Sequence, residues 1–323
     1  MKRAPAVQPN APKRASAKRG PSIRPPRIFL YFDTVVRCGS IRKAAEALRI
    51  ASSAVNRQIL LLESEIGCEL LERLPRGVRL TAAGETFANY VRQTLADLEA
   101  VGSQIESLRG LVRGKVKIAT VESAAGEFLP RLIGEFQREH PGVDFSVTVG
   151  TPDALATALL NDSADALITH ETVLHKDISV VARAPQSFCA LLAKDHPLAS
   201  KKRLQLRECA GYPIALADSS LAGRALIEQA MATGSFRFQP ALTSNSVATM
   251  KAYAHMHQAI CFQFEIGCRG ELASGEMVAI PLADRALQSA ELIVATRRER
   301  VLPVAAAAFV ESVRLAFRDM AAR

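Results

Sequence analysis

The chain has 323 residues, of which 49% are hydrophobic and 23% are charged. A chain of this length usually forms two or three domains. It has no run of 18 apolar residues, which argues against a transmembrane helix. Residues 1–24 are basic and rich in proline but lack the apolar core of a secretory signal, so the sequence predicts a cytoplasmic protein.

The positive charge is concentrated in the first third of the chain. Residues 1–110 carry 18 basic and 10 acidic side chains, whereas residues 111–323 carry 23 basic and 22 acidic ones. A local excess of this sign predicts a polyanionic partner, and nucleic acid is the first candidate. An anionic membrane surface is the alternative, but the sequence has no strongly basic amphipathic helix.

Cysteine and histidine spacings give no sign of a metal site. The six cysteines form no CxxC pair, which favours buried reduced thiols over disulfides or zinc. Cys261 and Cys268 are the nearest pair, and a redox role for them is left open. His255 and His257 lie two residues apart, a spacing that places them on different faces of a helix. We therefore expect no metal and no cofactor.

Residues 1–24 lack periodic apolar positions and are predicted to be a disordered basic tail. A first helix is expected from Arg27 to a stop at Gly39, and Ser40 can cap a second. A break at Arg49 and Ile50 separates it from a third helix. The positions predicted to face inward are small or aliphatic: Ala44, Ala45, Leu48, Val55, Ile59 and Leu62.

Three polar residues are left on the outer side of the third helix. If Val55 and Ile59 face inward, Ser53, Asn56 and Arg57 must face outward, as in the recognition helix of a helix-turn-helix. Arginine can bind guanine or a phosphate, asparagine can pair with adenine, and serine can contact a phosphate or a base edge. The alternative is an ordinary solvated face of two core helices.

A small hairpin is predicted over residues 72–81, because Pro75 and Gly77 lie between short apolar flanks. Arg73, Arg76 and Arg79 recur along it every three residues. Beside a recognition helix, they suggest a wing that binds phosphates or the minor groove. A solvated basic turn is the alternative for each arginine taken alone.

Thr81 is a suitable N-cap for a long helix, in which apolar residues repeat every seven positions. We predict a dimerisation helix over residues 85–110, with an internal helix of a large domain as the alternative. The helix spans roughly 40 Å at about 1.5 Å per residue. The predicted seam consists of Phe87, Val91, Thr94, Leu98, Val101, Ile105 and Leu108.

Residues 111–323 alternate between strand-like and helix-like segments, which predicts parallel sheets with helices on their faces. One set runs through residues 115–121, 143–149 and 165–169. A second begins near Tyr212 and includes residues 259–264. Two such sets predict two lobes with a cleft between them.

Residues 39–85 resemble the winged helix-turn-helix of LysR-type transcriptional regulators. The similarity rests on Ala44-Ala45, the run Arg57-Gln58-Ile59, Glu72-Arg73 and the sequence LTAAGE at residues 80–85. It implies a winged helix-turn-helix over residues 25–84, a homodimer through the linker helix, and often a dimer of dimers. It also implies a periplasmic-binding-protein-like effector domain that senses a small molecule. The predicted DNA contacts are Arg42, Ser52, Ser53, Asn56, Arg57, Gln58, Arg73, Arg76 and Arg79.

The sequence departs from the family pattern at the start of the third helix. Ala51-Ser52 stand where Ser-Gln is common, and Asn56 stands where serine is usual. We therefore expect different operator bases and a helix cap shifted to Ser52. Leu60 and Leu61 replace residues that are often charged, which suggests an extra apolar contact. The tail is interpreted as an auxiliary non-specific DNA contact.

The effector is expected beyond the carboxyl ends of the strands, where helix N-termini favour anions. Each candidate residue there could equally be a simple helix cap, and Glu122 beside Ser123 weakens the case for an anion. The candidate effector contacts are Ser123, Thr169, His170, Ser219, Ser220, Ser244, Asn245 and Ser246.

The sequence thus predicts an α/β fold overall with an all-α N-terminal domain, and a DNA-binding transcriptional regulator controlled by a small-molecule effector. A solute-binding protein would share the two lobes, but it needs an export signal and has no use for a basic first third. An enzyme would need a catalytic constellation. The sequence has no GxSxG motif, no metal spacing and no phosphate-binding glycine loop, so no catalytic residue is predicted.

Overall fold

The computed structural model describes residues 23–108, 112–170, 174–233, 236–288 and 290–322. Most of the predicted tail and the end of the predicted linker, residues 109–111, lie outside these ranges. The helices are α1 Arg27–Cys38, α2 Ile41–Leu48, α3 Ser52–Ile66, α4 Ala82–Ser107, α5 Glu122–Ala125, α6 Phe128–Glu139, α7 Pro152–Leu160, α8 Leu206–Cys209, α9 Ala222–Thr233, α10 Val247–Met256, α11 Arg269–Ser274 and α12 Val304–Ala321. The strands are β1 Leu71–Leu74, β2 Gly77–Leu80, β3 Gly114–Thr120, β4 Val143–Val149, β5 Ala166–His170, β6 Ile178–Pro185, β7 Phe188–Ala193, β8 Ile214–Ala217, β9 Leu242–Ser244, β10 Ile260–Phe264, β11 Met277–Pro281 and β12 Glu291–Arg297.

The three predicted N-terminal helices are confirmed, and backbone geometry explains their ends. Gly39 closes α1 in the left-handed region at φ 60°, a conformation that glycine adopts without a Cβ penalty. Ser40 then caps α2, because its Oγ accepts a hydrogen bond from the Lys43 amide at 3.4 Å. Arg49 ends α2 at φ 57°, which makes the predicted break a tight left-handed turn.

The wing is held against the helices by contacts at both of its ends. The buried Glu63 carboxylate accepts hydrogen bonds from the Leu70 and Leu71 amides at 2.8 and 3.0 Å. At the turn side, the Val78 amide donates to the Gly39 carbonyl at 2.9 Å. A Cβ at Gly77 would lie 2.4 Å from that carbonyl oxygen, so the turn tolerates only glycine there. The predicted hairpin is confirmed, with its position fixed relative to α3.

Thr81 caps the linker helix α4, as predicted. Its Oγ1 accepts a hydrogen bond from the Gly84 amide at 3.0 Å. Its first turns belong to the N-terminal core. Phe87 packs against Phe29 and Phe32, with ring centroids 6.1 and 5.1 Å apart, and Val91 is fully buried. The prediction that Val91 belongs to an intermolecular seam is therefore wrong, because the N-terminal domain already covers it, whereas Phe87 is half-buried and its place in the seam stays a prediction.

The sheet of lobe I has the strand order β4-β3-β5-β12-β6, and that of lobe II has the order β11-β7-β10-β8-β9. The prediction of parallel sheets is wrong in part. Strand β12 is antiparallel to β5 and β6, and β7 is antiparallel to β10 and β11. The reason is that the chain crosses from lobe I to lobe II between β6 and β7 and returns between β11 and β12. A strand that enters from the opposite lobe need not follow the direction of its neighbours.

A buried ion cluster joins the end of lobe I to the linker. Arg300, whose side chain is fully buried, lies 2.7 Å from Asp165 and 3.2 Å from Asp162. Asp165 also accepts a hydrogen bond from the Lys117 amide at 2.8 Å, and the Lys117 ammonium pairs with Glu99 of α4 at 2.9 Å. These contacts attach α4 directly to the first strand of lobe I.

Candidate nucleic-acid interface and interlobe cleft

The first two turns of α3 present the predicted recognition surface. Ser52, Ser53 and Arg57 are exposed, and Asn56 and Gln58 are half-buried, while Val55 and Ile59 lie fully inside. Within the described residues, Arg57 has no ion-pair or hydrogen-bond partner. Its guanidinium is therefore available to an external acceptor.

The predicted shift of the helix cap to Ser52 is wrong. The N-cap is Ala51, and no side chain satisfies the first amides of α3. Ser52 is instead the first helical residue. Because these amide groups carry the positive end of the helix dipole, an exposed uncapped N-terminus can receive a phosphate.

The three wing arginines have different surroundings, although all three are exposed. Arg73 donates a hydrogen bond to the Asn56 Oδ1 at 2.8 Å. Arg79 lies opposite Glu72 in the hairpin and binds its carboxylate through Nε and Nη2 at 3.0 and 2.6 Å. Because side chains alternate along a strand, Arg73 and the Arg79–Glu72 pair lie on opposite faces of the hairpin. Arg76 lies at the tip, in the turn between β1 and β2.

Arg42 lies on α2 and is also exposed, but it pairs with Glu46 at 3.7 Å. An exposed pair of this kind contributes little to stability, so it can be exchanged for another partner. The structure therefore brings Ser52, Ser53, Asn56, Arg57 and Arg73 together on one surface. Arg76 lies at the hairpin tip and Arg79 on the hairpin face opposite Arg73, and within the described residues neither they nor Arg42 form a hydrogen bond with any of these five.

Three residues of lobe I meet lobe II directly across the cleft. The Glu122 carboxylate accepts a hydrogen bond from the Val247 amide at the N-terminus of α10, at 2.9 Å. The His170 ring stacks on the Phe264 ring with their centroids 3.3 Å apart. A Cβ on Gly267 would lie 3.3 Å from the Ser123 Cβ. We call these contacts the interlobe plug.

Ser123 and His170 are coupled to each other within the plug. The Ser123 Oγ and the His170 Nε2 share a hydrogen bond of 2.8 Å, and both residues are buried. Burial lowers the pKa of His170 to about 3, because a charged imidazolium would lose its hydration. His170 is consequently neutral at neutral pH and supplies a polar group to the cleft, but no positive charge.

The plug divides the cleft into a small centre and two open grooves. The centre has a volume of about 40 Å³. It is bordered by Glu122, Ser123 and His170 together with Phe188, Phe262 and Phe264. Among the described residues that border it, Glu122 carries the one charge. The prediction that helix N-termini here bind an anionic effector is weakened, because the Glu122 carboxylate already accepts the first amide of α10.

The remaining predicted cleft residues take different positions. Ser219 and Ser220 border the larger groove with Asp153 and Glu291, and Ser220 donates from its amide and its hydroxyl to the Asp218 carboxylate. The other four serve the local fold. Thr169 is buried in β5, Ser244 accepts from the Ser246 amide, Asn245 is exposed, and Ser246 caps α10.

Sequence reasoning missed the lobe II side of the plug and one residue at the crossing. Gln186 is buried between β6 and β7, where its side-chain Oε1 accepts a hydrogen bond from the Ile266 amide at 3.3 Å and its backbone N–H donates to the Ala290 carbonyl at 2.8 Å. It therefore ties both crossings together. Phe264 is the last residue of β10, and this position was a usable signal, because ligands of open α/β sheets bind at the carboxyl ends of strands.

The far end of α4 exposes the last three residues of the predicted seam, whereas Thr94 and Leu98 are half-buried. Val101 and Ile105 are 45% and 47% exposed, and Leu108 is 88% exposed. On the other side of the helix, Ala100 is buried, and Ser103 accepts a hydrogen bond from the Val304 amide at 3.0 Å. A helix fixed to lobe I on one side and apolar on the other leaves a surface available to a second helix.

Four of the six cysteines are buried, as the sequence predicted, whereas Cys38 is half-buried and Cys68 is exposed. Burial raises the pKa of Cys189, Cys209 and Cys261 to about 12 and also raises that of Cys268. Their thiols therefore stay protonated at neutral pH, which disfavours the redox role considered for Cys261 and Cys268. Across the described ranges, no set of three His, Cys, Asp or Glu side chains could hold a metal ion. In the same ranges, none of the helices has the length and apolarity needed to cross a membrane.

Two models of known protein families match this chain, one over the N-terminal domain and one over the two lobes. Residues 27–85 match the bacterial regulatory helix-turn-helix protein, lysR family, and residues 109–318 match the LysR substrate binding domain. The transcriptional activator CmpR of a Synechocystis species is 25% identical over 259 residues, which is 79% of this chain and 85% of that one. A RuBisCO operon transcriptional regulator of Allochromatium vinosum is 32% identical over 206 residues, 63% of this chain and 67% of its own.

Solved structures share the fold. A full-length OxyR variant from Pseudomonas aeruginosa superposes with a TM-score of 0.68 at 18% identity, covering 91% of this chain and 96% of that one. Full-length CbnR in complex with its target DNA superposes with a TM-score of 0.53 at 22% identity, covering 91% and 99%. The order of N-terminal domain, linker helix and two lobes is therefore a known arrangement.

Proposed function

The chain belongs to the LysR family of DNA-binding transcriptional regulators, and we propose that it binds an operator as a homodimer or homotetramer whose position on the DNA a small molecule controls. We propose a cytoplasmic location, because its DNA target lies there. The observation that supports this function most strongly is the surface formed by Ser52, Ser53, Asn56, Arg57 and Arg73. It combines an uncapped helix start and the Arg57 guanidinium, which has no partner among the described residues, with the Arg73 guanidinium of the wing.

Within that surface, we assign Arg57 to a guanine or a phosphate, and the amides at the start of α3 to a phosphate. Arg76 and Arg79 are assigned to backbone contacts from the wing, and Arg42 and Gln58 to the margins. The CbnR structure, which contains its target DNA, supports this assignment through the shared fold.

We propose that two copies associate through Val101, Ile105 and Leu108, which are exposed on α4 at seven-residue and four-residue spacings. Spacing of this kind places the three side chains on one stripe of the helix. Two chains paired there would carry two recognition helices. The operator would then contain two half-sites about one helical turn or a multiple of it apart.

The effector is proposed to bind between the lobes, with Ser123, His170, Ser219 and Ser220 as its polar contacts. A solved effector-binding domain of the same fold, that of QuiR, is in complex with shikimate, and its TM-score with this chain is 0.54. The centre of about 40 Å³ has room for only a few water molecules. An effector in that space therefore has to separate the plug, and this movement is how we propose that binding is transmitted to α4.

Thermal-shift measurements on the full-length chain test this location. Pure organic acids, amines, sugars and aromatic compounds are added one at a time, and a compound that binds the folded state raises the unfolding midpoint. Ser123→Ala removes the hydroxyl that holds His170 and should reduce the rise caused by such a compound. Ser312→Ala, which deletes a hydroxyl on α12 that is bonded within its own helix, should keep the full rise.

A full rise in Ser123→Ala and in Ser220→Ala would place the effector outside the cleft. The recovered compound is also analysed chemically. An unchanged compound supports a sensor, whereas a converted one would support an enzyme.

A further inference from the structure

We propose that Asn56 and Arg73 form a single reading unit that presents the NH₂ group of Asn56 to the DNA as a hydrogen-bond donor, and that this unit selects guanine over adenine at the base facing Asn56. The inference rests on the proposed placement of α3 in the major groove. It corrects the expectation from sequence that Asn56 pairs with adenine. Arg73 acts in it as a positioning residue for the Asn56 side chain.

The hydrogen bond between wing and helix fixes which way the amide points. Arg73 Nη1 lies 2.8 Å from the Asn56 Oδ1, and the two residues are 17 positions apart in the chain. A guanidinium has N–H donors and no acceptor, so the atom facing it must be the amide oxygen. The Asn56 NH₂ group therefore points away from the wing.

The wing holds this geometry because its own position is fixed. Strand β1 is anchored to α3 through Glu63, which accepts the Leu70 and Leu71 amides two to three residues before Arg73. Among the described residues, no carboxylate pairs with Arg73, whereas Arg79 on the opposite face is neutralised by Glu72. Arg73 is consequently available to Asn56.

The chemistry of the base edges turns this geometry into a preference. Adenine presents an N7 acceptor and an N6 donor in the major groove, and an asparagine pairs with it through its oxygen and its nitrogen together. Guanine presents two acceptors, O6 and N7. Arg73 takes one lone pair of the amide oxygen and turns that oxygen toward the wing, so the group presented to the base is the NH₂ of Asn56, a donor that matches the acceptors of guanine.

The experiment begins with a duplex that full-length wild-type protein enriches from a random library. Each position of that duplex is then changed to all four base pairs, and binding is measured at one fixed salt concentration. The position that loses its preference in Asn56→Ala is the base that Asn56 reads. Both substituted side chains are at least partly exposed, and alanine favours helix at position 56, so these variants should fold.

At that position we expect the wild type to prefer guanine over adenine by at least about tenfold, within the range of one good base contact. Arg73→Ala frees the amide oxygen and should lower this ratio about tenfold, while Arg73→Lys, which keeps a donor, should restore part of it. Arg79→Ala removes the same charge from the other face of the hairpin. It should weaken binding to every duplex by one common factor and leave the ratio unchanged.

An unchanged guanine-to-adenine ratio in Arg73→Ala would overturn the inference, as would an adenine preference in the wild type. An Asn56→Ala variant with every base preference intact would overturn it as well. In each of these results the protein still binds its operator, so the proposed function stands. Failure of the wild type to enrich any duplex would reject the proposed function itself.

Discussion

Replacing Arg57 with alanine should weaken binding to the operator by about 5-fold to 150-fold, the equivalent of one good base contact. Arg57 lies exposed on the outer side of the recognition helix, with no acidic partner among the described residues. Its guanidinium therefore gives up no internal ion pair when it binds DNA. Because Val55 and Ile59 supply the buried face of α3, the substitution leaves the core unchanged, and the unfolding midpoint should stay the same.

Fluorescence anisotropy with a labelled operator duplex at moderate salt measures this loss. Arg92→Ala provides the matched control, because it removes the same charge from α4, where Arg92 donates to Asn89. This control should bind within about twofold of the wild type. Equal affinities of Arg57→Ala and the wild type would show that α3 does not read the operator through this residue.

Replacing Arg300 with methionine should lower the stability of the folded chain by about 3–5 kcal/mol, the usual cost of leaving a buried charge unpaired. The Arg300 side chain is fully buried between Asp162 and Asp165, which are themselves almost completely buried. Removing it leaves the buried Asp165 carboxylate without a guanidinium partner, whereas Asp162 keeps its ion pair with Arg297 at 2.9 Å. For a domain of this size, the unfolding midpoint should fall by roughly 6–20 °C.

The loss should also depend on pH. Burial raises the pKa of Asp162 and Asp165, and the Arg300 guanidinium opposes that rise. In the variant this opposition is absent, so the pKa values of both carboxyls in the folded state rise further above their unfolded values, and the folded state binds protons more strongly than the unfolded state does. Its deficit should therefore be largest at neutral pH and should shrink as the pH falls through the raised folded values toward 3.8.

Thermal unfolding followed by circular dichroism at several pH values checks both statements. Arg298→Met is the matched control, because Arg298 is a neighbouring but exposed arginine whose Nε donates to the Lys176 carbonyl. It should change stability by less than about 0.5 kcal/mol. A deficit in Arg300→Met as small as that of this control, or one that grows on acidification, would contradict the role assigned to the buried cluster.

The N-terminal domain could be predicted from sequence because its determinants are local. Gly39, Ser40 and Thr81 act within one turn of their own helices, and the apolar period of α3 specifies which face is outside. The dimer seam was predicted too early on α4 at Val91, since an apolar residue has the same spacing whether it faces a second chain or its own domain. Only the packing of the folded N-terminal domain, which buries Val91 fully, decides between these two environments.

The cleft was less accessible to sequence reasoning because its contacts join residues that are far apart in the chain. Glu122 and Val247 are separated by 125 positions, and no local pattern predicts a carboxylate from one lobe at the helix start of the other. The antiparallel strands were missed for a similar reason, because the two crossings between lobes decide the direction of these strands. Helix caps such as Ser246 could be placed, but a cap and a ligand contact leave the same signature in a sequence.

Selection of duplexes from a random library by the full-length protein tests the central claim most directly. The account predicts an enriched motif with two inverted half-sites about 10 base pairs, or a multiple of that, apart, protected as one footprint. It also predicts that Arg57→Ala enriches this motif poorly. A library recovered without any shared motif, or the same motif recovered equally well by Arg57→Ala, would contradict it.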